Sequence, residues 1–170
     1  MSEDRRPTSS YDKEKFSSGG NMKYIILRGK WGLAIDNIVL RLTGYSLMTK
    51  QYSLAGGQPY QATLLLTTTG ARTGQQRTCG LPYWTVDGNR VVRGSNGGGP
   101  TDPHWVHNIR KNPDASIRVG WKSRPVKAHV ASGDERKRLF EILDAVSPST
   151  GMYQNMCSPR ELPLVVLREA

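Results

Sequence analysis

Two glycine-rich segments of the sequence carry groups that could hold an anion. The first, residues 70–77, reads Gly-Ala-Arg-Thr-Gly-Gln-Gln-Arg and joins two predicted strands. Arg72 and Arg77 offer forks of N–H donors that match a phosphate. Thr73 adds a hydroxyl, and Gly74 lets the backbone approach an anion closely. The pattern predicts a phosphate cradle, although an ordinary solvated hairpin loop would have the same composition.

The second segment, residues 95–100, reads Ser-Asn-Gly-Gly-Gly-Pro and precedes a short predicted helix at 103–111. Asp102 is placed to cap that helix, and Pro103 suits its first position. Backbone N–H groups of the loop and of the helix N-terminus could then face an electron-rich group. The dinucleotide and P-loop templates both fail here, and a flexible loop explains this composition at least as well.

Other residue types that do chemistry in proteins give weaker signals. His104 and His107 lie three residues apart with no third ligand beside them, so we predict no metal site. Trp105, between them, is typical of a core anchor. The acidic residues are scattered, and no Ser-His-Asp or Cys-His spacing is present. If the chain is an enzyme, a bound cofactor must supply the difficult step.

The elements that position these segments are typical of a mainly β protein. Alternation and turn residues predict six strands, at residues 61–69, 77–86, 90–95, 115–121, 125–131 and 162–167. Asp87-Gly88 predicts a tight hairpin between the second and third strands. Helical periodicity predicts one or two amphipathic helices within residues 22–48 and another helix at 134–146. Strands joined mostly by hairpins favour an α+β or all-β barrel over a doubly wound sheet.

Length and charge limit the class of protein. A chain of 170 residues fits a single domain, which we place at residues 22–170 behind a polar tail at 1–21 that we expect to be disordered. The formal net charge of +10 favours an anionic partner. Because the chain has no basic tract, zinc-finger spacing or aromatic RNA-binding motif, we predict no nucleic-acid binding.

The apolar stretch from Tyr24 to Met48 bears on membranes. Four charged residues interrupt it: Arg28, Lys30, Asp36 and Arg41. They exclude an ordinary bilayer-spanning helix. The helix could lie on an anionic bilayer or simply cover the barrel. Since the sequence has no secretory signal and no metal or redox cysteine spacing, we expect a cytoplasmic protein, with contact at the inner face of the membrane left open.

Several motifs between residues 64 and 119, about a third of the chain, occur together in one known family. Leu-Leu-Leu-Thr-Thr-Thr-Gly begins at Leu64 and Ala-Arg-Thr-Gly-Gln-Gln-Arg at Ala71. Ser-Asn-Gly-Gly begins at Ser95, and His-Trp-Val-His-Asn-Ile-Arg-Lys-Asn-Pro at His104. Their order and spacing resemble the deazaflavin-dependent nitroreductase family of actinobacteria. This combination is far more specific than either loop alone.

The resemblance implies a split β-barrel like that of flavin-mononucleotide-binding proteins, coenzyme F420 as hydride donor, and a quinone-like acceptor. Four residues would bind the phosphate and acidic tail of the coenzyme: Arg72, Thr73, Gly74 and Arg77. Three would lie near the deazaflavin ring: Ser95, Asn96 and Gly97. Three more would border the same pocket: His104, Trp105 and Asn108. We expect two residues to act on the acceptor, Ser95 and Tyr153.

This chain departs from the family pattern in ways that affect substrates. Asn96 stands where nitroreductase members have a lysine, which predicts a weaker or different grip on the coenzyme. Ser147 and Thr150 occupy places where the family has tyrosines, and Tyr153 is the aromatic residue that remains. We therefore expect quinone reduction with poor nitroimidazole reduction. Tyr153 could instead be a packing residue that covers the barrel.

Two other functions remain open from the sequence. The barrel could bind F420 without turning it over, as a carrier. It could also hold flavin mononucleotide or haem instead of deazaflavin. Related split barrels are often homodimers, but nothing in the sequence requires one.

Overall fold

The computed structural model of the chain describes residues 26–27, 29–55 and 57–169. Its strands are β1 (Thr63–Thr69), β2 (Gln76–Val86), β3 (Asn89–Arg93), β4 (Asp114–Val119), β5 (Lys122–Val130) and β6 (Leu164–Glu169). They form a closed antiparallel barrel in the order β1-β2-β3-β6-β5-β4. The last strand closes the barrel because it pairs with both β3 and β5. The predicted barrel is confirmed.

Helices flank the barrel and plug one of its ends. Over the described residues they are α1 (Gly29–Thr43), α2 (Leu47–Ala55), α3 (His104–Lys111), α4 (Gly133–Val146) and α5 (Ser149–Cys157). A 3₁₀ turn spans Asn96–Gly98. None of the helices in this part of the chain has the length and apolar character needed to span a bilayer.

The predicted hairpin is present between β2 and β3. Asp87 and Gly88 have φ values of 50° and 76°, the left-handed conformation that a two-residue type I′ turn requires at both positions. Val86 pairs with Asn89 directly across this turn. The third strand was expected to reach Ser95 but ends at Arg93, because the chain leaves the sheet to enter the 3₁₀ turn.

The helices differ from the sequence expectation in two places. The sequence pattern does not predict α5, whose segment STGMYQNMC is rich in poor helix formers. Its Cys157 lies in an apolar cluster with Trp84 and Val91 of the barrel, so tertiary contacts stabilise this helix. The helical region predicted within residues 22–48 contains α1, but α2 continues it to Ala55. The tail predicted at residues 1–21 lies outside the described residues.

The interior of the barrel is a closely packed apolar core. Strand side chains fill it from all sides, among them Leu64, Leu66, Val92, Ile117, Val126, Val165 and Leu167. Helix α3 covers one end of the barrel and inserts three side chains into the same cluster: Trp105, Val106 and Ile109. The segments that enter and leave α3 are therefore fixed relative to the strand ends at that end.

A second apolar cluster lies outside the barrel, between the sheet and the C-terminal helices. Outward-facing Trp84, Val91 and Val166 pack there against residues of α4 and α5, including Leu139, Leu143 and Cys157. Helix α5 consequently lies on the outer face of β2 and β3. This brings it next to the segment that follows β3.

Charged side chains join the strands on either side of β6. The carboxylate of Glu169 on β6 binds Arg90 on β3 and Arg124 on β5. These hydrogen bonds lower the pKa of the Glu169 carboxyl below its ordinary value of 4.5, that to Arg124 contributing most. The ion pairs thus link the two strands between which the barrel closes.

A buried carboxylate fixes α1 against α2. Asp36, 3% exposed, accepts hydrogen bonds from the Ser46 hydroxyl at 2.8 Å and from the Met48 N–H at 2.9 Å. The Ser46 oxygen in turn accepts the Thr49 N–H at 2.9 Å, as an N-cap does. Leu40 of α1 packs where a side chain at Gly80 of β2 would lie. The two helices therefore form one layer over the outer face of β1 and β2.

Candidate functional site

The loop between β1 and β2 is the first half of the candidate site. Its turn is closed by hydrogen bonds from the Gly70 N–H to the Gln75 carbonyl and from the Gly74 N–H to the Gly70 carbonyl, both 2.8 Å. Gly74 has a φ of 69°, which favours glycine. Arg72, Thr73 and Gly74 are all exposed at the tip. An added Cβ at Gly74 would meet nothing within 4 Å, so the tip is open to a ligand.

Two arginines, Arg72 in the loop and Arg77 at the start of β2, give this region a positive charge. The Arg77 guanidinium donates to the Gln75 side-chain oxygen at 2.7 Å, and Arg72 is exposed. Among the described residues, neither has an acidic partner. Both guanidinium groups are therefore available to bind an anion, as a phosphate site requires.

Asn108 of α3 anchors the loop from inside the barrel. Its side chain is 7% exposed, and its amide oxygen accepts the Ala71 N–H at 2.9 Å. Its amide nitrogen donates to the buried Thr68 hydroxyl at 3.0 Å. Asn108 was expected to border the cofactor pocket, and here it holds the backbone directly before Arg72. Because the helix that plugs the barrel carries this anchor, the loop has a fixed position relative to the core.

The turn after β3 is the second half of the site. Asn96, Gly97 and Gly98 have φ values of 49°, 63° and 83°, three successive residues in the left-handed region. Asparagine tolerates this region better than most residues. The Gly98 N–H donates to the Ser95 carbonyl at 2.9 Å, and the Asn96 side chain donates to the Thr101 carbonyl at 3.1 Å. Ser95 is half-buried, whereas Asn96 and Gly97 are exposed.

The N-terminus of α3 differs from the sequence expectation. Asp102 does not cap the helix, which begins at His104 with Pro103 as its N-cap residue and no side-chain cap. Its carboxylate instead binds Arg110 at 2.6 Å and Arg160 at 2.9 Å. The carboxylate prefers these two cations because an ion pair with a guanidinium is stronger than a hydrogen bond to one backbone N–H.

The remaining residues predicted at the pocket lie on different sides of α3. His104 is exposed at its first position, and His107 is exposed one turn later. Trp105 is 9% exposed and packs in the barrel core, consistent with the core anchor considered from sequence. Within the described part of the chain, no three His, Cys, Asp or Glu side chains converge on a point that could hold a metal. A role for His104 or Trp105 in cofactor binding stays a prediction.

Both halves of the site lie at the barrel end that α3 plugs, and their chemistry fits an anionic coenzyme. One half offers two guanidinium groups on a glycine turn, and the other offers exposed backbone with left-handed glycines. At Gly97, as at Gly74, an added Cβ would meet nothing within 4 Å. A ligand with a phosphate and a planar ring can therefore approach both segments.

Comparison with known proteins decides which class of ligand this is. The family model of the F420H2-dependent quinone reductases matches residues 45–169, which include the barrel and both halves of the site. The chain belongs to this family. An F420H2-dependent quinone reductase of Mycobacterium tuberculosis is 36% identical over 109 residues, covering 61% of this chain and 71% of the relative.

Solved structures agree with the family. An F420H2-dependent reductase, FDR-A, superimposes with a TM-score of 0.56 at 30% identity, over 62% of this chain and 93% of that one. A domain-swapped dimer has the same TM-score and identity and is covered over 79% of its length. The family, the split barrel, the oxidoreductase class and F420 as the cofactor, all predicted from the sequence, are confirmed.

In this quinone reductase family member, Tyr153 lies at the edge of the outer apolar cluster, on α5. The Arg93 guanidinium stands 4.3 Å from the Trp84 ring centroid and 5.4 Å from that of Tyr153. Burial raises the pKa of the Tyr153 phenol above its ordinary value of 10, and Arg93 partly offsets this rise. The phenol therefore keeps its proton at neutral pH.

Arg93 is a residue that the sequence reasoning missed. It donates to the Ser149 hydroxyl at 3.0 Å and to the Thr150 hydroxyl at 2.7 Å. Thr150 also donates to the Leu143 carbonyl at 3.3 Å. Hydroxyl groups bound to an arginine thus line this side of α5. The alternation of β3 placed Arg93 on the outer face, but no sequence signal linked it to residues of α5.

Proposed function

We propose that this protein transfers a hydride from F420H2 to a quinone, with both substrates bound at the barrel end that α3 plugs. The observation that carries the proposal is a pair of exposed guanidinium groups, Arg72 and Arg77, that have no acidic partner in the part of the chain that the structure describes and stand on either side of a turn that Asn108 anchors to α3. When bound, reduced F420 would supply the hydride from its central ring carbon. The residues of this chain bind and orient the two partners and hold a proton near the acceptor.

The loop between β1 and β2 is the proposed site for the phosphate and acidic tail. Arg72 and Arg77 would bind the anion, Thr73 would donate its hydroxyl, and Gly74 would let it approach the backbone. A hydrogen bond to a charged group contributes about 1.5–3 kcal/mol. Since 1.4 kcal/mol is tenfold in affinity, Arg72→Gln and Arg77→Gln should each raise the F420 Kd by at least about tenfold. Arg138→Gln on α4, exposed and equal in charge change, is the matched control.

The turn after β3 is the proposed site for the deazaflavin ring, with Ser95, Asn96 and Gly97 against it and His104 at the border. The left-handed backbone of Asn96 suits asparagine better than the lysine that the resemblance to nitroreductases implies at this position. Asn96→Lys should tighten F420 binding, because it adds a cation. It should also destabilise the fold by about 1 kcal/mol, because lysine is less favourable in this backbone conformation. An Asn96→Lys variant with unchanged affinity at low salt would show that this side chain does not face the coenzyme.

Ser95 and Tyr153 are the proposed residues that act on the acceptor. Because the Tyr153 phenol remains protonated at neutral pH, it can donate to the quinone oxygen on which negative charge develops. The Ser95 hydroxyl, on the turn after β3, can donate a second hydrogen bond to the quinone. Tyr153→Phe should lower kcat with a smaller change in the F420 Kd. Nitroimidazoles should be poor substrates, because Ser147 and Thr150 do not provide aromatic stacking.

Fluorescence titration with oxidised and reduced F420, followed by addition of menadione to the reduced complex, tests the function. Oxidation of F420H2 on addition of the quinone is the expected result. Binding without oxidation by any of several quinones would identify a carrier instead. Absence of F420 binding in a protein that purifies yellow or red would point to flavin mononucleotide or haem.

The outer face of α1 is a proposed membrane contact. Trp31, Ile35, Ile38 and Leu42 follow one another at helical spacing, opposite the buried Gly32, Asp36 and Leu40. Their exposures are 83%, 46%, 60% and 58%. Two exposed cations, Lys30 and Arg41, flank this stripe. An apolar stripe beside cations is the pattern of a helix that lies in an anionic bilayer interface.

A second element extends the same surface. Gly44, which follows α1, lies against Gly120 in the turn between β4 and β5. Trp121 in that turn is 68% exposed, with the Arg118 guanidinium 6.0 Å from its ring centroid. Tryptophan and basic residues are enriched where proteins meet lipid headgroups. The protein would then work in the cytoplasm at the inner face of the membrane, where a lipid-soluble quinone is accessible.

Flotation with anionic and with zwitterionic liposomes tests this contact. The wild type should float with the anionic liposomes, and a Trp31→Ser, Ile38→Ser double variant should stay in the soluble fraction. Val146→Ser, which removes a 64% exposed side chain of α4, is the control. A wild type that never floats but elutes as a dimer, with the double variant monomeric, would assign the stripe to a homodimer instead. A domain-swapped dimer among the solved relatives supports that alternative.

A further inference from the structure

Arg160 lies in the segment between α5 and β6, with its side chain 13% exposed. Both terminal nitrogens of its guanidinium are used. One donates to the Gly94 carbonyl at 3.2 Å and to the Asp102 carboxylate at 2.9 Å. The other donates to the carbonyls of Ser95 and Gly99 at 3.2 Å and 2.9 Å. All four acceptors belong to residues 94–102, so a single side chain binds both ends of the turn after β3.

The turn depends on this side chain because its own bonds are few. Asn96, Gly97 and Gly98 are all left-handed, a conformation that costs free energy for asparagine. Within the turn, backbone bonds join Gly98 to Ser95 and Gly99 to Asn96. These two bonds and that from the Asn96 side chain to the Thr101 carbonyl all span five residues or fewer, a weak restraint on a glycine-rich segment that loses much entropy on ordering. The guanidinium adds three longer-range bonds to the same backbone.

Asp102 connects Arg160 to the other half of the site. Its carboxylate, 11% exposed, binds Arg160 through one oxygen and Arg110 of α3 through the other. Helix α3 also holds the loop between β1 and β2 through Asn108. The two candidate cofactor segments are therefore fixed relative to each other through α3, with Arg160 behind one of them.

We infer that Arg160 is a positioning residue that holds the Ser95–Gly99 turn in the conformation that binds the deazaflavin ring. It acts from behind the turn through backbone carbonyls and contacts neither the coenzyme nor the acceptor. The inference rests on the proposed function, which places the ring against Ser95, Asn96 and Gly97. A planar fork with several donors is needed for three carbonyls and a carboxylate, so lysine cannot replace it.

Arg160→Lys is the decisive variant, and Arg136→Gln is its control. Arg136 is buried to a similar extent, 16% exposed, and donates to the Gln154 side chain and the Leu162 carbonyl. It lies in the same region but does not bind the turn. Both variants should lower Tm, whereas only Arg160→Lys should raise the F420 Kd, by about tenfold or more. If the Lys variant does not fold, Asp102→Asn, which keeps an oxygen acceptor but removes the charge, should raise Kd by a smaller factor.

Hydrogen exchange of the protein without coenzyme separates this inference from the proposed function. Arg160→Lys should speed exchange of the Gly98 and Gly99 amides while leaving the β1 and β6 amides protected. A wild type that does not bind F420 would refute the proposed function, and the exchange result would still test the role of Arg160. Unchanged exchange and Kd in Arg160→Lys, or an equal rise of Kd in Arg136→Gln, would overturn the inference.

Discussion

Replacing Asn108 by alanine should release the loop that carries Arg72 from the barrel. The change removes two hydrogen bonds, one from the Ala71 N–H and one to the Thr68 hydroxyl. Each contributes about 1 kcal/mol, and stranding the Thr68 hydroxyl, 1% exposed, costs about another 1 kcal/mol. The sum is about 3 kcal/mol. For a chain of this size that corresponds to a fall in Tm of about 6–12 °C.

The affinity for F420 should fall along with the stability, because the freed loop must be ordered again on binding. Thr68→Val provides the matched comparison. It removes the hydrogen bond from Asn108 to Thr68, which should lower the stability of the fold by about 1–2 kcal/mol, but leaves the bond from Ala71 to Asn108 intact. We expect Asn108→Ala to raise the F420 Kd about tenfold and Thr68→Val to change it less than about threefold.

Thermal unfolding and fluorescence titration of both variants and of the double variant measure these effects. The double variant should be less destabilised than the sum of the singles by about 1 kcal/mol, because neither partner is then left unpaired. The anchoring role of Asn108 would be refuted by a rise of Kd in Thr68→Val equal to that in Asn108→Ala. An unchanged Kd in a clearly destabilised Asn108→Ala would refute it equally.

Two further predictions concern the turn after β3 and the closure of the barrel. Gly97→Ala should cost about 1 kcal/mol for its left-handed φ. Gly98→Ala should cost more than Gly97→Ala, because its Cβ would lie 3.0 Å from Met156 Cβ, which cannot swing aside as the flexible end of that side chain can. Urea denaturation measures both, and equal costs would contradict the contact. Folding lowers the pKa of Glu169, so its ion pairs stabilise the fold above pH 4.5 and this stabilisation is lost as the pH falls below that value. In Glu169→Gln, the free energy of unfolding should therefore depend less on pH in that range.

Local signals predicted the elements of this fold, and contacts distant in sequence account for what they missed. The strands and the hairpin at Asp87-Gly88 follow from alternation and turn chemistry within a few residues. Helix α5 has no such local signal, because packing on the barrel stabilises it. Asp102 was assigned as a cap from its neighbours in sequence, whereas its partner Arg160 is 58 residues away.

The candidate site shows the same division. The residues of both loops could be assigned from the sequence, because short segments rich in glycine, with arginines in the first of them, are typical of anion-binding sites. The residues that hold those loops, Asn108 and Arg160, bind backbone groups 37 and 61–66 residues away. Such partners depend on the topology of the closed barrel. Only the family resemblance assigned Asn108 to this region, and nothing in the sequence assigned Arg160 or Arg93.

The position of β6 between β3 and β5 has a consequence for how the chain folds during synthesis. Until residues 164–169 have left the ribosome, the first five strands present two unpaired edges and an open apolar interior. Glu169 and its partner Arg90 are 79 residues apart, so closing the barrel is a non-local and slow step. Open strand edges are where partly folded chains aggregate. We therefore expect a chain whose translation stalls before β6 to need a chaperone. Substitutions in the paired residues of β3 and β6 should lower the yield of folded protein by more than their effect on equilibrium stability predicts.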